Sequence, residues 1–148
     1  MISFRPLLAG DLVQLKLQPS QHLELGIEEG EIDMQRARDL VLHGPGWTAH
    51  EGGRILCCAG FRETFPPVQA VAWAMLARDI GPKAHLAITR YAREEIRKAP
   101  YRRLEALVEA DNNPAVMWAK LVGLHAAHRL ECFGFDSAPH ILFERIRL

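Results

Sequence analysis

Tyr101–Phe135 has the sequence YRRLEALVEADNNPAVMWAKLVGLHAAHRLECFGF and carries the clearest fold signal of the chain. The segment Arg103–Ala110 (RLEALVEA) carries enough buried-type residues for a strand. Asn113 is suited to cap a helix, and Pro114 fits a first helical position, where the missing N–H is no loss. Trp118, Leu121 and Val122 then recur at helical spacing, and Gly123 suits a left-handed stop. After Leu124 a second apolar run closes on Glu131-Cys132-Phe133-Gly134-Phe135. The order is strand, turn, helix, glycine, strand, with Asn112, Ala115 and Gly123 in an Asn–x–x–Ala–(x)7–Gly spacing.

Upstream, Val68–Ala77 is a near-continuous apolar run, as expected of a central strand covered on both faces. Lys83–Lys98 is the longest helix candidate, with Ala84, Ile88, Tyr91, Ala92 and Ile96 on its inner face. A helical crossover between two buried-type strands favours a right-handed parallel unit. The strands Val68–Ala77 and Arg103–Ala110 are therefore expected to run parallel in one sheet. Gly52-Gly53 between Trp47–Glu51 and Arg54–Phe61 is a hairpin signal, and Pro66-Pro67 ends that unit. Ser3–Pro6 reads as a short strand. Gly10-Asp11 opens a brief helix to about Leu17, which Pro19-Ser20 breaks. A second helix is predicted over Glu31–His43, with Met34, Ala37, Leu40 and Val41 on one face and Gly44-Pro45-Gly46 as its stop. The last strand is Ile141–Arg147. No repeat, linker or low-complexity tract interrupts the 148 residues, which fit one domain spanning 1–148.

Composition narrows the function classes. Eighteen basic side chains balance eighteen acidic ones, which argues against a broad nucleic-acid footprint. No stretch approaches the roughly 18 apolar residues of a membrane span. No basic-then-apolar leader precedes a small-residue cleavage site, so a cytoplasmic protein is expected rather than a secreted one. The three cysteines, Cys57, Cys58 and Cys132, have no framework spacing and read as reduced, mostly buried thiols. Adjacent Cys57 and Cys58 would point to opposite faces of a strand. His125, His128 and Cys132 fit no standard zinc spacing. On a regular strand the two histidines would face opposite ways, so no metal site is expected.

The residues quoted above are similar to those of the GNAT acyltransferase superfamily. The match in the last third is the strand ending at an Asn, the short helix and its closing glycine. Ile2-Ser3-Phe4-Arg5-Pro6 with Gly10-Asp11-Leu12 resembles the opening of the same domain. The run Ala70–Ala77, with Arg78-Asp79-Ile80-Gly81-Pro82-Lys83, Leu86–Arg90 and Pro100–Arg103, looks like a group of small GNAT-like proteins of tailed bacteriophages. One branch of that group is the internal virion protein A of short-tailed phages. The implied fold is a mixed α/β (α+β) domain. Its sheet would have six or seven mostly antiparallel strands, with about four helices and two central parallel strands splayed where a cofactor enters.

The resemblance also implies a site. Its acetyl-CoA would place the pyrophosphate on the turn between Ala77 and His85. Free amides and the positive end of a helix dipole favour an anion in such a place. Cofactor contacts are expected from Leu76, Ala77, Arg78, Ile80, Gly81, Lys83, Ala84 and His85, with Asn112 and Trp118 along the pantetheine groove. The usual Arg/Gln–x–x–Gly–x–Gly/Ala signature is reduced here to Gly81, and Pro82 removes one amide donor. Glu63 is the expected base for the acceptor amine, directly or through water. Ala119 stands where many relatives carry a Tyr that protonates the departing thiolate. Two classes follow. One is an acetyl-CoA-dependent N-acyltransferase for an unknown amine, on a small molecule or host protein. The other is a catalytically silent GNAT-fold phage protein acting in virion assembly or partner binding, with the virion as a second location.

Overall fold

A computed structural model of the chain describes residues 1–17, 20–21, 34–134 and 136–148. The elements run β1 (Ser3–Pro6), α1 (Ala9–Leu17), β2 (Ser20–Gln21), α2 (Met34–Leu42), β3 (Gly46–Glu51), β4 (Arg54–Phe65), β5 (Gln69–Ala77), α3 (Pro82–Lys98), β6 (Arg103–Glu109), α4 (Asn113–Leu121), β7 (His125–Phe133) and β8 (Ala138–Ile146). Pro19, the first three residues of the expected second helix (31–33) and Phe135 lie outside the described residues.

One sheet takes the order β1-β3-β4-β5-β6-β8-β7, with the two-residue β2 paired to β5 beside this path. Every pairing is antiparallel except that of β5 with β6, which is parallel. The expected mixed, mostly antiparallel sheet and parallel central pair are therefore present. The reason is visible in the burial of β5, where every residue from Ala70 to Ala77 is buried. A strand sealed on both faces must sit mid-sheet, with helices on each side.

The two faces have separate cores. Ala84, Ile88, Ala92 and Ile96 of α3, with Ala115, Trp118 and Ala119 of α4, pack on one face. Leu12 and Leu15 of α1, with Ala37 and Leu40 of α2, pack on the other against Ile55, Cys58, Trp73 and Met75. Complete burial of a side chain such as Ile88 or Leu12 is worth roughly 1.5–3 kcal/mol. Cys57 and Cys58 do face opposite cores, while Cys132 is exposed.

Four details differ from the sequence reading. Helix α2 buries only Ala37 and Leu40, because it packs chiefly on α1 rather than on the sheet, and Met34 and Val41 are exposed. Strand β4 continues to Phe65, so Glu63 sits within a strand rather than beyond its end. Asn112, not Asn113, caps α4: its side chain accepts the Ala115 amide at 3.2 Å, and Asn113 is already helical. Strand β7 holds a register shift between Ala126 and His128, so His125 pairs with Glu144 and His128 with Leu142. Partners two residues apart lie on one face, so the bulge brings both histidines to the same side. Gly123 ends α4 at φ 103°, as its role as a stop requires.

Candidate active site

The site begins where β5 and β6 part. They are paired only over Gln69–Val71 with Arg103–Glu105. A polar clamp holds this closed end: Gln69 Nε2 donates to Glu105 Oε1 at 2.9 Å, and Arg103 Nε donates to the same oxygen at 2.6 Å. Arg103 also reaches Glu144 at 2.8 Å, separating two carboxylates that stand directly opposite each other across β6 and β8. Beyond Val71 and Glu105 the strands have no mutual pairing. Among the described residues Ser20–Gln21 takes the β5 edge only at Leu76–Ala77, so Ala72–Met75 and Ala106–Glu109 border an opening within the sheet.

Helix α3 starts at the mouth of that opening. Its N-cap is Gly81 at φ −65° and ψ 166°, with no side-chain cap, and Pro82 follows. The His85 amide bonds Gly81 O at 3.0 Å. Before it, the Lys83 and Ala84 amides have no acceptor within the helix, so the positive end of the dipole faces outward. A Cβ added at Gly81 would meet nothing within 4 Å. The preceding turn needs a left-handed residue, supplied by Asp79 at φ 59°, a conformation Asp tolerates better than most.

Beside this helix start lies a cavity of about 310 Å³. Five of the expected residues line it together: Leu76, Ala77, Ile80, His85 and Trp118. Asp79 joins them from the turn, and Met117 and Leu121 from α4 leave half their surface exposed at its rim. Gly81, Lys83 and Arg78 are exposed at the turn itself, while Ala84 is buried under α3. Asn112 spends its side-chain oxygen on capping α4.

Glu63 stands apart from this group. It pairs with Ala70 at the closed end, four residues or about 13 Å along the strand from Ala74. There it faces Tyr101. Burial first, then the charge and hydrogen bond of Glu63, push the Tyr101 phenol up to about 12. Ala119, in the place of the expected tyrosine, is wholly buried, so no hydroxyl stands there.

Two residues escaped the sequence reading. Thr89 accepts the Trp118 indole N–H at 2.9 Å and donates to His85 O at 2.8 Å, with His85 Nδ1 at 3.4 Å. It thereby fixes the indole that walls the cavity. The i, i+4 spacing of His85 and Thr89 was the available signal. Glu105, the last residue of β6 paired to β5, lies on the face opposite buried Leu104 and Ala106. The strict alternation of β6 was its signal. Among the described residues no group of three or more His, Cys, Asp or Glu side chains is placed to hold a metal ion. No helix of the described residues is long and apolar enough to cross a membrane.

A scan of protein families and a search of curated proteins find no match to this sequence. Solved structures do match. The ribosomal-protein-alanine N-acetyltransferase of Brucella melitensis superposes with a TM-score of 0.76 at 17% identity, over 98% of this chain and 99% of its own. An acetyltransferase of the GNAT family from Streptococcus pneumoniae gives 0.73 at 12%, over 99% and 100%. YncA of Salmonella typhimurium, solved with its cofactor acetyl-CoA, gives 0.70 at 12%, over 98% and 93%. The chain has the GNAT fold. At these identities the likeness concerns backbone architecture, and a fold hosts many activities. In this chain the parting of β5 and β6, the bare start of α3 and the cavity beside it are open to a ligand.

Proposed function

We propose that the protein transfers an acyl group from an acyl-coenzyme A to an amine. The observation that carries this reading is the uncapped α3 start at Gly81, set at the mouth of the opening between β5 and β6 and beside an apolar cavity. Acyl-CoA combines the two chemistries this place suits. Its pyrophosphate needs amide donors and a positive potential, and its pantetheine and acyl parts need a largely apolar groove. The Lys83 and Ala84 amides would hold the phosphates, with Lys83, Arg78 and His85 around them. Leu76, Ala77, Ile80, Asn112 and Trp118 would border the arm. That YncA of the same fold was solved with acetyl-CoA supports the choice of donor.

The reaction joins the amine nitrogen to the thioester carbon and breaks the C–S bond. The nitrogen loses a proton and coenzyme A leaves as thiol or thiolate. An alkyl amine with a pKa near 10 is mostly protonated at neutral pH, so a base must act first. We assign that role to Glu63, acting through water because about 13 Å of strand separates its position from Ala74. With Ala119 in place of a tyrosine, the leaving thiolate takes its proton from water, and turnover is slow.

Ala119 also favours a second reading, in which the fold binds coenzyme A or a partner without chemistry. Under that reading, the resemblance to small phage proteins, including the internal virion protein A type, points to a role in particle assembly. Calorimetric titration with acetyl-CoA, followed by an acyl-transfer assay on a panel of amines, separates the two. Binding with turnover supports the transferase, and binding without turnover the silent protein. No binding at millimolar acetyl-CoA removes the transferase reading. In an active enzyme, Glu63→Gln lowers turnover at least about tenfold and leaves acetyl-CoA affinity unchanged. Equal rates would remove Glu63, and Glu105→Gln is then the next variant to assay.

A further inference from the structure

A further cavity, of about 470 Å³, opens at the other end of α3 and shares no wall residue with the one beside Trp118. From His85 to Glu95 the helix rises about 15 Å, so the two are separate places. The floor of this cavity is a cluster of rings. Phe4 stacks on Tyr91 with ring centroids 4.0 Å apart, Trp47 meets both rings edge-on, and Phe61 stands beside them. The sequence of α3 explains why the rings stay open. Its buried stripe is Ile88, Ala92 and Ile96, whereas the flank turned to β1 and β3 carries Tyr91, Glu95 and Lys98 at i, i+4 and i+7. Charged ends cannot be sealed over an apolar floor, so this flank lines the cavity instead of closing it.

The two charges form a pair at the rim. Lys98 Nζ lies 2.8 Å from Glu95 Oε1, and their side chains are 56% and 22% exposed. A pair this open to water is held together weakly. Burial first, then the charge of Glu95, raise the pKa of the Tyr91 phenol above its ordinary value, so it remains a protonated donor beside them. One stripe of α3 thus sets a carboxylate, an ammonium and a hydroxyl over a floor of rings.

We propose that this cavity binds a free amino acid with a large apolar side chain, its side chain on the rings of Phe4, Trp47 and Tyr91, its ammonium on Glu95 and its carboxylate on Lys98. The ligand enters between Glu95 and Lys98 and gives each a new partner, so no charge is left alone. An amino acid carries its ammonium on the carbon next to its carboxylate, which suits two opposite charges three residues apart on one helix face. Its side chain gains by leaving water for the rings. An amine alone would leave Lys98 without a partner, and a carboxylic acid alone would leave Glu95 without one. The site stands apart from the acyl-coenzyme A reading, and no acyl transfer is assigned to it.

The test is calorimetric titration of the full chain with phenylalanine, phenethylamine, hydrocinnamate and glycine. The last three lack the carboxylate, the ammonium and the side chain in turn. Phenylalanine should bind saturably, and each of the others at least about fivefold more weakly, a modest factor because solvent reaches the pair. Lys98→Met should bring phenylalanine down to the level of phenethylamine, and Glu95→Gln to that of hydrocinnamate. Should either variant fail to fold, the ligand series on the wild-type chain decides. No saturable binding of phenylalanine at millimolar concentration overturns the inference, as does equal affinity for phenylalanine and either single-charge analogue. Discrimination that survives both substitutions places the amino acid elsewhere and overturns it too.

Discussion

Replacing Gly81 by Val separates the fold of the α3 start from its use. At φ −65° and ψ 166° the backbone is extended, a region any residue adopts, and the added Cβ would meet nothing within 4 Å. The native structure therefore accepts the side chain, and the loss is confined to exchanging a glycine cap for a poorer one. That is at most about 1 kcal/mol, a fall in melting temperature of roughly 2–4 °C for a chain of this size. Binding should respond differently. The branched side chain would fill the space that a pyrophosphate must cross to reach the Lys83 and Ala84 amides. A hydrogen bond to a charged group contributes about 1.5–3 kcal/mol, so loss of one weakens binding roughly 10- to 150-fold. Calorimetry with acetyl-CoA at low ionic strength measures the affinity, and thermal denaturation of the same samples measures the fold. Gly81→Ala, with a single methyl group, should fall between the two proteins. A variant that melts near wild type and binds with unchanged affinity would refute the placement of the phosphates at Gly81.

Arg145 reaches from β8 to the end of α3, where its guanidinium donates to the carbonyls of Ile96, Ala99 and Tyr101. Burial, then the neighbouring Arg147, hold its pKa below the ordinary value, yet it stays charged at any physiological pH. Arg145→Met strands these acceptors and should lower stability by about 3 kcal/mol in urea denaturation; a loss under about 1 kcal/mol would show that water replaces the guanidinium freely. Asp11 supplies a pH test. Burial opposes its charge, but Arg5, the Leu8 amide and Thr48 outweigh burial and hold its pKa below the ordinary value. A depressed carboxylate contributes stability above its unfolded pKa and loses it as pH falls through the folded value. Wild type should therefore weaken progressively from about pH 4 downward. Asp11→Asn should be less stable at pH 7 and show a shallower acid slope; parallel curves would show that this carboxylate does not govern acid unfolding.

Local chemistry made much of this protein legible in the chain itself. The near-continuous apolar run ending at Ala77 announced a strand buried on both faces, and the amphipathic helix after it announced a parallel crossover. Gly52-Gly53 and Gly123 marked their turns, and the positive φ of Gly52 and Gly123 suits few other residues. Five residues expected near a cofactor, from Leu76 to Trp118, do line one cavity. Their closeness in space follows from the strand–helix–strand–helix order. Tertiary structure decided what depends on neighbours distant in sequence. Asn112 became the α4 cap, the bulge in β7 turned His125 and His128 to one side, and β4 ran on through Glu63. The parting of β5 from β6 after three paired residues is a property of the whole sheet, not of either strand's composition. The same holds for the row Ala74, Ala59 and Trp47. Three residues spread over 28 positions stand side by side only because strand register aligns them, and register is set by the pairing of the entire sheet.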